Sequence, residues 1–160
     1  MYISYDEYTA LYDRIEEKVF NRLVYDACRY LDRHTTGVDG VKKLKTAFPI
    51  DEESADAVKR CAAHIVNILA QIQEAENAAS AGRGYTKTEN GLQGKVISSV
   101  SAGNESISFS TGTEKTAVDL AVTDIAQRNK LIYATIRDDL SGIADANGVN
   151  LLYMGVYPRV

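Results

Sequence analysis

The sequence predicts a mainly α fold, a bundle of about four helices with one inserted β-hairpin and an extended C-terminal arm. Apolar residues recur at helical spacing in several long stretches, and they alternate with small polar residues around one Gly-Asn step. A further apolar stretch closes the chain. The 160 residues fit a single domain, 1–160, with a helical body at 4–80 and 114–141, a hairpin at 95–111 and an arm at 149–160.

The first two helices are predicted from their ends. Ser4 and Glu7 have the spacing of a capping box, which opens a short helix that ends near residue 13. A second helix is predicted over 16–34, where apolar residues follow an i, i+3, i+4 stripe. Gly37 is predicted to stop this helix in the left-handed conformation that glycine adopts readily.

A loop and a third helix follow. Residues 37–50 are predicted to be a loop because they contain two glycines and a proline. Lys42, Lys43 and Lys45 form a small basic cluster there, for which a solvated loop is favoured over a phosphate contact, since three lysines give only modest affinity. Asp51 is predicted to cap the third helix, which fades into an alanine- and glycine-rich connector.

The second half of the chain is predicted to contain a polar loop at 85–94, then the hairpin, then a fourth helix from about Glu114 to Leu140. A two-residue turn at Gly103-Asn104 sets the register of the hairpin. In that register, one apolar face collects Val96, Val100, Ile107 and Phe109.

Composition excludes several classes of protein. The net charge of −4 argues against tight binding of duplex DNA through a cationic surface. No stretch approaches the ~18 consecutive apolar residues that predict a membrane span, so no membrane partner is expected. Cys28 and Cys61 make no disulfide framework, and buried free thiols are the favoured interpretation.

No catalytic or metal-binding arrangement is visible in the sequence. His34 and His64 each lack a second ligand at helical spacing. Residues 145–148, DANG, resemble a calcium loop only loosely, and a turn is the better interpretation because the order of ligands is broken. The sequence therefore predicts no enzyme activity, no metal and no cofactor.

An interaction protein is the class that remains, and the hairpin supports it. A lone two-stranded hairpin is marginally stable in water, and its edges carry unpaired backbone groups that can accept a neighbour's strand. Edge pairing repeated around a ring leaves no free edge. The alternative, in which the hairpin folds back onto the helices of its own chain, stays equally open.

Three stretches resemble the head–tail connector (adaptor, or head-completion) proteins of tailed bacteriophages. They are the opening YISYDEYTALY with EEKVFNRLVYDACRYLDRHTTG, the helix VKRCAAHIVNILAQIQEAE with the later SISFSTGTEK, and the tail LLYMGVY. The resemblance implies a virion protein, assembled in the host bacterial cytoplasm, whose copies form a homo-oligomeric ring between the portal protein and a tail or stopper protein.

The same resemblance implies how such a ring works. The ring extends the channel, completes the head, and lets DNA pass without sequence-specific binding. The subunit and partner contacts that it implies are Val96, Val100, Ile107 and Phe109 in the hairpin, and Leu151, Leu152, Tyr153 and Val156 in the tail.

A second hypothesis is a small helical adaptor or regulatory protein that binds one protein partner in a groove between helices. A ring subunit is expected to assemble as its concentration rises, whereas the adaptor is expected to stay a compact monomer or dimer. Sedimentation across a concentration series separates the two.

Overall fold

A computed structural model describes residues 1–12, 15–80, 85–88, 91–94, 100–102, 105–107 and 116–158, and their side chains except those of residues 78–80, of residue 123 and of the strands. The chain forms two compact units, one of Met1–Ala70 with Ile132–Val160, the other of Gln71–Leu131. The described residues are mainly helical, which confirms the predicted mainly α class. The single domain over 1–160 stays a prediction.

The first two helices are α1 (Tyr5–Thr9) and α2 (Glu17–His34). The predicted capping box is confirmed: the Glu7 N–H donates to the Ser4 hydroxyl at 3.3 Å, and the Ser4 N–H donates to the Glu7 carboxylate at 2.8 Å. α2 begins and ends within one residue of the predicted bounds, because the apolar stripe and the residues at the helix ends indicate the same bounds. α1 ends earlier than predicted.

The predicted loop at 37–50 contains one further helical turn, α3 (Lys43–Thr46). The prediction of a loop throughout is wrong there. A single turn is too short to show helical periodicity in the sequence, and no side chain caps its start. Leu44, only 2% exposed, anchors the turn in the core.

The long helix α4 spans Glu52–Ser80. Its predicted cap is confirmed, since the Asp51 carboxylate accepts the N–H of Ser54 at 2.8 Å. This hydrogen bond lowers the pKa of the Asp51 carboxyl.

The predicted fourth helix is two helices, α5 (Ala117–Thr123) and α6 (Ile125–Asp139). Asp124 interrupts them in an extended conformation, and its carboxylate accepts the N–H of Ala126 at 2.7 Å, so it starts α6 as a cap would. Ile125 was expected on the apolar stripe, but 72% of it is exposed. A capping aspartate inside an apolar pattern is the reason for the error.

The first unit has one hydrophobic core. Tyr8 of α1 packs against Phe20 of α2 with ring centroids 5.2 Å apart, and both side chains are buried. Largely apolar surfaces of α2, α3 and α4, the end of α6 and part of the C-terminus close around them. The largest fully buried apolar residues are Tyr8, Phe20, Leu31, Ile65, Ile132, Ile136, Leu140 and Leu151.

The second unit contains the strands. β1 (Tyr85–Thr88) pairs with β2 (Gly91–Gly94), and β3 (Val100–Ala102) pairs with β4 (Glu105–Ile107), each pair antiparallel. Residues 85–94 were predicted to be a loop. Their polar composition concealed β-forming tyrosine and threonine residues in β1.

Only part of the predicted hairpin is described. Val100 lies opposite Ile107, and Ala102 lies opposite Glu105. Val96 and Phe109 lie outside the described residues. The hairpin over 95–111 therefore stays a prediction.

Among the described residues, no helix combines the length and the apolar content that crossing a membrane requires.

Candidate functional site: the C-terminal tail

The C-terminal tail, residues 149–157, is the one predicted contact region whose side chains are described. It was expected to be an extended arm. In the structure it is tied to the first unit, which contains both the tail and α1 to α3. Its inner side supplies Leu151, which is fully buried, and Tyr157, which is 7% exposed.

Lys43 holds the tail from inside. Its ammonium donates to the carbonyl oxygens of Thr35 and Leu151, each at 3.1 Å, and to that of Tyr153. The residue is fully buried, and burial lowers the pKa of the ammonium, although the nearby carboxylates of Asp145 and Asp39 oppose that shift. The expectation of a solvated lysine is therefore wrong for Lys43.

A close approach of two backbones fixes the tail at Gly37. The Val38 N–H donates to the Met154 carbonyl at 3.2 Å, and a Cβ added at Gly37 would lie 2.7 Å from the Gly155 carbonyl oxygen. Gly37 does not adopt the predicted left-handed conformation. Glycine is needed there because the tail leaves no room for a side chain.

Two carboxylates complete the anchoring. Asp39 accepts the Tyr157 N–H at 2.8 Å, which lowers the pKa of the Asp39 carboxyl. Asp145 accepts the Tyr157 hydroxyl at 2.6 Å and the N–H groups of Asn147 and Val149, each at 2.9 Å. The predicted turn at 145–148 is confirmed, and Asp145 uses both of its oxygens to accept from protein donors.

The outer side of the tail is apolar and exposed. Tyr153, Met154 and Val156 are 50%, 53% and 66% exposed, and Val38, which is hydrogen-bonded to Met154, is 73% exposed. We call these four residues the tail patch. Connected apolar surface of this kind marks interaction sites in soluble proteins.

The structure thus separates the predicted tail residues. Tyr153 and Val156 belong to the tail patch, Leu152 is half-buried, and Leu151 lies in the core. The side chain of Leu151 therefore supports the fold of the chain instead of facing a partner. For the hairpin residues, no side chain is described, and their contact roles stay predictions.

A cleft of about 500 Å³ lies beside α2. Val24, Cys28 and Leu44 contribute to its lining. At its rim the Asp32 carboxylate accepts the Tyr2 hydroxyl and pairs with the Lys45 ammonium at 2.8 Å. A volume of this size is within the range of ligand pockets.

The exposed face of α2 carries a pattern that the sequence analysis missed. Cations recur on it at helical spacing around an exposed tyrosine, and we call this set the α2 stripe: Lys18, Arg22, Tyr25, Arg29 and Arg33. The stripe does not show as a run of basic residues in the sequence, because its members are three or four positions apart. Counting charges along the helical repeat, instead of along the chain, would have found it.

Cysteine and histidine have structural roles in the described part of the chain. Cys28 and Cys61 are free thiols, but the predicted burial is confirmed only for Cys61, since Cys28 is partly exposed. Burial, with a smaller effect of Asp139, raises the pKa of Cys61. His64 pairs with Asp139 at 2.7 Å. The described residues include no group of three side chains that could hold a metal ion.

Comparisons with protein-family models, with curated proteins and with solved structures find no match to this chain.

Proposed function

We propose that this chain is the subunit of a homo-oligomeric ring in a bacteriophage virion, placed between the capsid portal and the tail. The ring would extend the DNA channel and complete the head. The proposal rests on the sequence resemblance together with one structural observation, the tail patch. A rigid backbone there presents Tyr153, Met154 and Val156 to solvent.

The anchoring of the tail matters for binding. Ordering mobile side chains at an interface weakens binding by about 0.5–1.5 kcal/mol for each side chain immobilised. Lys43 and Asp39 hold the tail backbone before any partner arrives, so part of that ordering is already complete. A preorganised apolar patch suits repeated docking of identical subunits.

The proposal includes the finer parts of the predicted fold. The helices would form a bundle of about four, and the hairpin over 95–111 would pair its edges with those of neighbouring copies. The register of β3 with β4 supports this, since it places Val100 opposite Ile107. The net charge of −4 suits a conduit that DNA phosphates pass without being held.

Sedimentation velocity over a concentration series, with negative-stain imaging of the fastest species, tests the ring. The wild-type chain is expected to assemble into closed rings. Replacing Tyr153, Met154 and Val156 by serine should abolish assembly and leave the Tm nearly unchanged, because all three are exposed. Ile125→Ser, at an apolar residue that is 72% exposed elsewhere, is the matched control. A wild-type chain that stays monomeric at every concentration overturns the ring.

The cleft beside α2 favours a second candidate, the small helical adaptor that binds one protein partner. Its apolar lining and the polar group formed by Tyr2, Asp32 and Lys45 are what a single inserted side chain needs. A stable monomer that captures one partner, and that loses it on Tyr25→Asp, at a lining residue that is 72% exposed, would favour the adaptor over the ring.

A further inference from the structure

The α2 stripe stands out against the charge of the whole chain. Four cations occupy one exposed helix face in a protein whose net charge is −4. From residue 18 to residue 33 they extend over about 22 Å at 1.5 Å per residue. Among the described residues, Arg29 forms an ion pair with Asp26 at 3.2 Å, and both of those side chains are largely exposed. Such a pair contributes little, so the stripe keeps its positive potential.

A complementary surface exists on the same chain. Ile50 is 83% exposed and lies two residues before the start of α4. The residues after it are exposed and acidic, and we call the set the acidic turn: Ile50, Asp51, Glu52, Glu53 and Asp56. Glu52 and Glu53 form no ion pair with a described residue.

We infer that the α2 stripe and the adjoining cleft of one copy bind the acidic turn of a second copy. This inference rests on the proposed ring and names one of its contacts. Ile50 would enter the cleft beside Tyr25 and Cys28, which line it and keep exposed surface. The carboxylates of Glu52 and Glu53 would face the guanidinium groups of the stripe.

Charge explains why a second copy can bind at all. Two copies that each carry a net charge of −4 repel one another at long range. A contact between unlike local charges removes that penalty where the surfaces meet, and it also selects one orientation.

The cleft favours a protein segment over a nucleic acid. Phosphates would pair with the cations of the stripe, but they would leave the apolar lining beside Tyr25 and Cys28 uncovered. The acidic turn satisfies both, because it combines one exposed aliphatic side chain with carboxylates next to it in sequence. Association should weaken with added salt, since the paired charges lie near the surface.

A charge-swap experiment tests the contact. The variant Arg22→Glu/Arg29→Glu has an acidic stripe, and the variant Glu52→Arg/Glu53→Arg has a basic turn. Each alone should associate about tenfold or more weakly than the wild type, because like charges then face each other. An equimolar mixture should regain association, since every contact between unlike variants pairs opposite charges. Arg137→Glu, at an exposed site on α6, is the control and should assemble normally.

The outcomes separate this inference from the ring itself. If the wild type assembles and both variants assemble equally well, the contact is wrong and the ring stands. If the wild type never assembles, the proposed ring is wrong, and the contact that depends on it is wrong as well. Anisotropy with a labelled oligonucleotide provides a third arm: DNA binding that Arg22→Glu/Arg29→Glu abolishes, without any change in assembly, makes the stripe a nucleic-acid surface and overturns the inference.

Discussion

The C-terminal tail and the strand-bearing segment at 85–107 satisfy their backbones in opposite ways. The tail is held by residues far away in sequence: Lys43 reaches Leu151 across 108 positions, and Asp39 reaches Tyr157 across 118. Each described strand instead pairs with its immediate neighbour, in sheets of two strands. The tail is therefore fastened by the rest of its own unit, whereas pairing within the described strands stays local.

This difference indicates what each region contributes to assembly. A tail fixed by tertiary hydrogen bonds can present a surface of constant shape, the tail patch. A two-stranded sheet is marginal by itself and gains most from a further strand along its edge. In the proposed ring, the tail would supply a rigid docking surface and the hairpin would supply backbone pairing.

The largest effect is expected on removing the lysine that fastens the tail. Lys43→Met leaves three carbonyl groups, two of them buried and one partly buried, without their donor. The free energy of unfolding should fall by about 3 kcal/mol, because each unsatisfied group loses its hydrogen bond in a dry site. Urea denaturation measures the loss. Lys42→Met, one residue earlier and exposed, should change stability by less than about 0.5 kcal/mol; equal effects of the two would contradict the clamp.

Proline in the predicted hairpin tests the other region. Ser98→Pro or Ser108→Pro removes a backbone donor from the expected ladder. Ring assembly should weaken by about tenfold or more, while the helical circular dichroism stays unchanged, because the helices do not depend on that donor. Ser98→Ala and Ser108→Ala keep the donor and serve as controls. Normal rings from the proline variants would refute edge pairing.

A smaller effect is expected at the end of the tail. Tyr157→Phe deletes the hydroxyl that donates to Asp145 at 2.6 Å, and it should destabilise the protein by about 1–2 kcal/mol. Burial, and then the bond to Asp145, raises the pKa of the tyrosine. The Tyr157 hydroxyl therefore stays protonated to higher pH in the folded state than in the unfolded state. Its contribution to the free energy of unfolding is full below the ordinary tyrosine pKa of 10.0 and is lost as pH rises through the raised pKa. Denaturation from pH 7 upward should show the two proteins converging.

The smallest effect is expected at the capping box, which belongs to neither region. Lys59 and the Ser4 N–H lower the pKa of Glu7 to about 2. The charged form therefore contributes stability above the ordinary value of 4.5, and this is lost as pH falls through about 2. Glu7→Gln should cost about 0.5 kcal/mol at neutral pH, a small figure because both partners are partly exposed. Its Tm difference from the wild type should shrink as pH falls and vanish below about pH 2; a difference that persists below that pH excludes the charge as its cause.

Local signals predicted much of the helical framework. The capping pairs at Ser4 and Glu7 and at Asp51, the apolar stripe of α2 and the turn at 145–148 all involve residues within a few positions of one another. The break at Asp124 was missed although it is local, because an apolar pattern on both sides outweighed a single capping aspartate.

The candidate site was predicted less well. The tail was identified as a contact region, but which of its side chains face outward was not. Leu151 and Tyr153 lie two positions apart in the same apolar stretch, yet one is fully buried and the other is half exposed. Gly37 was assigned a left-handed turn, whereas its small size serves the approach of Gly155.

From its order of residues alone, this chain could be known as a mainly helical protein with an apolar C-terminus, because helix periods and caps are written within a few neighbouring positions. Only the folded structure could reveal that Lys43 lies inside the molecule and fastens that C-terminus. Two of the three carbonyl groups that accept its hydrogen bonds lie 108 and 110 positions away, and no local pattern can encode a hydrogen bond to a partner that folding has yet to bring near.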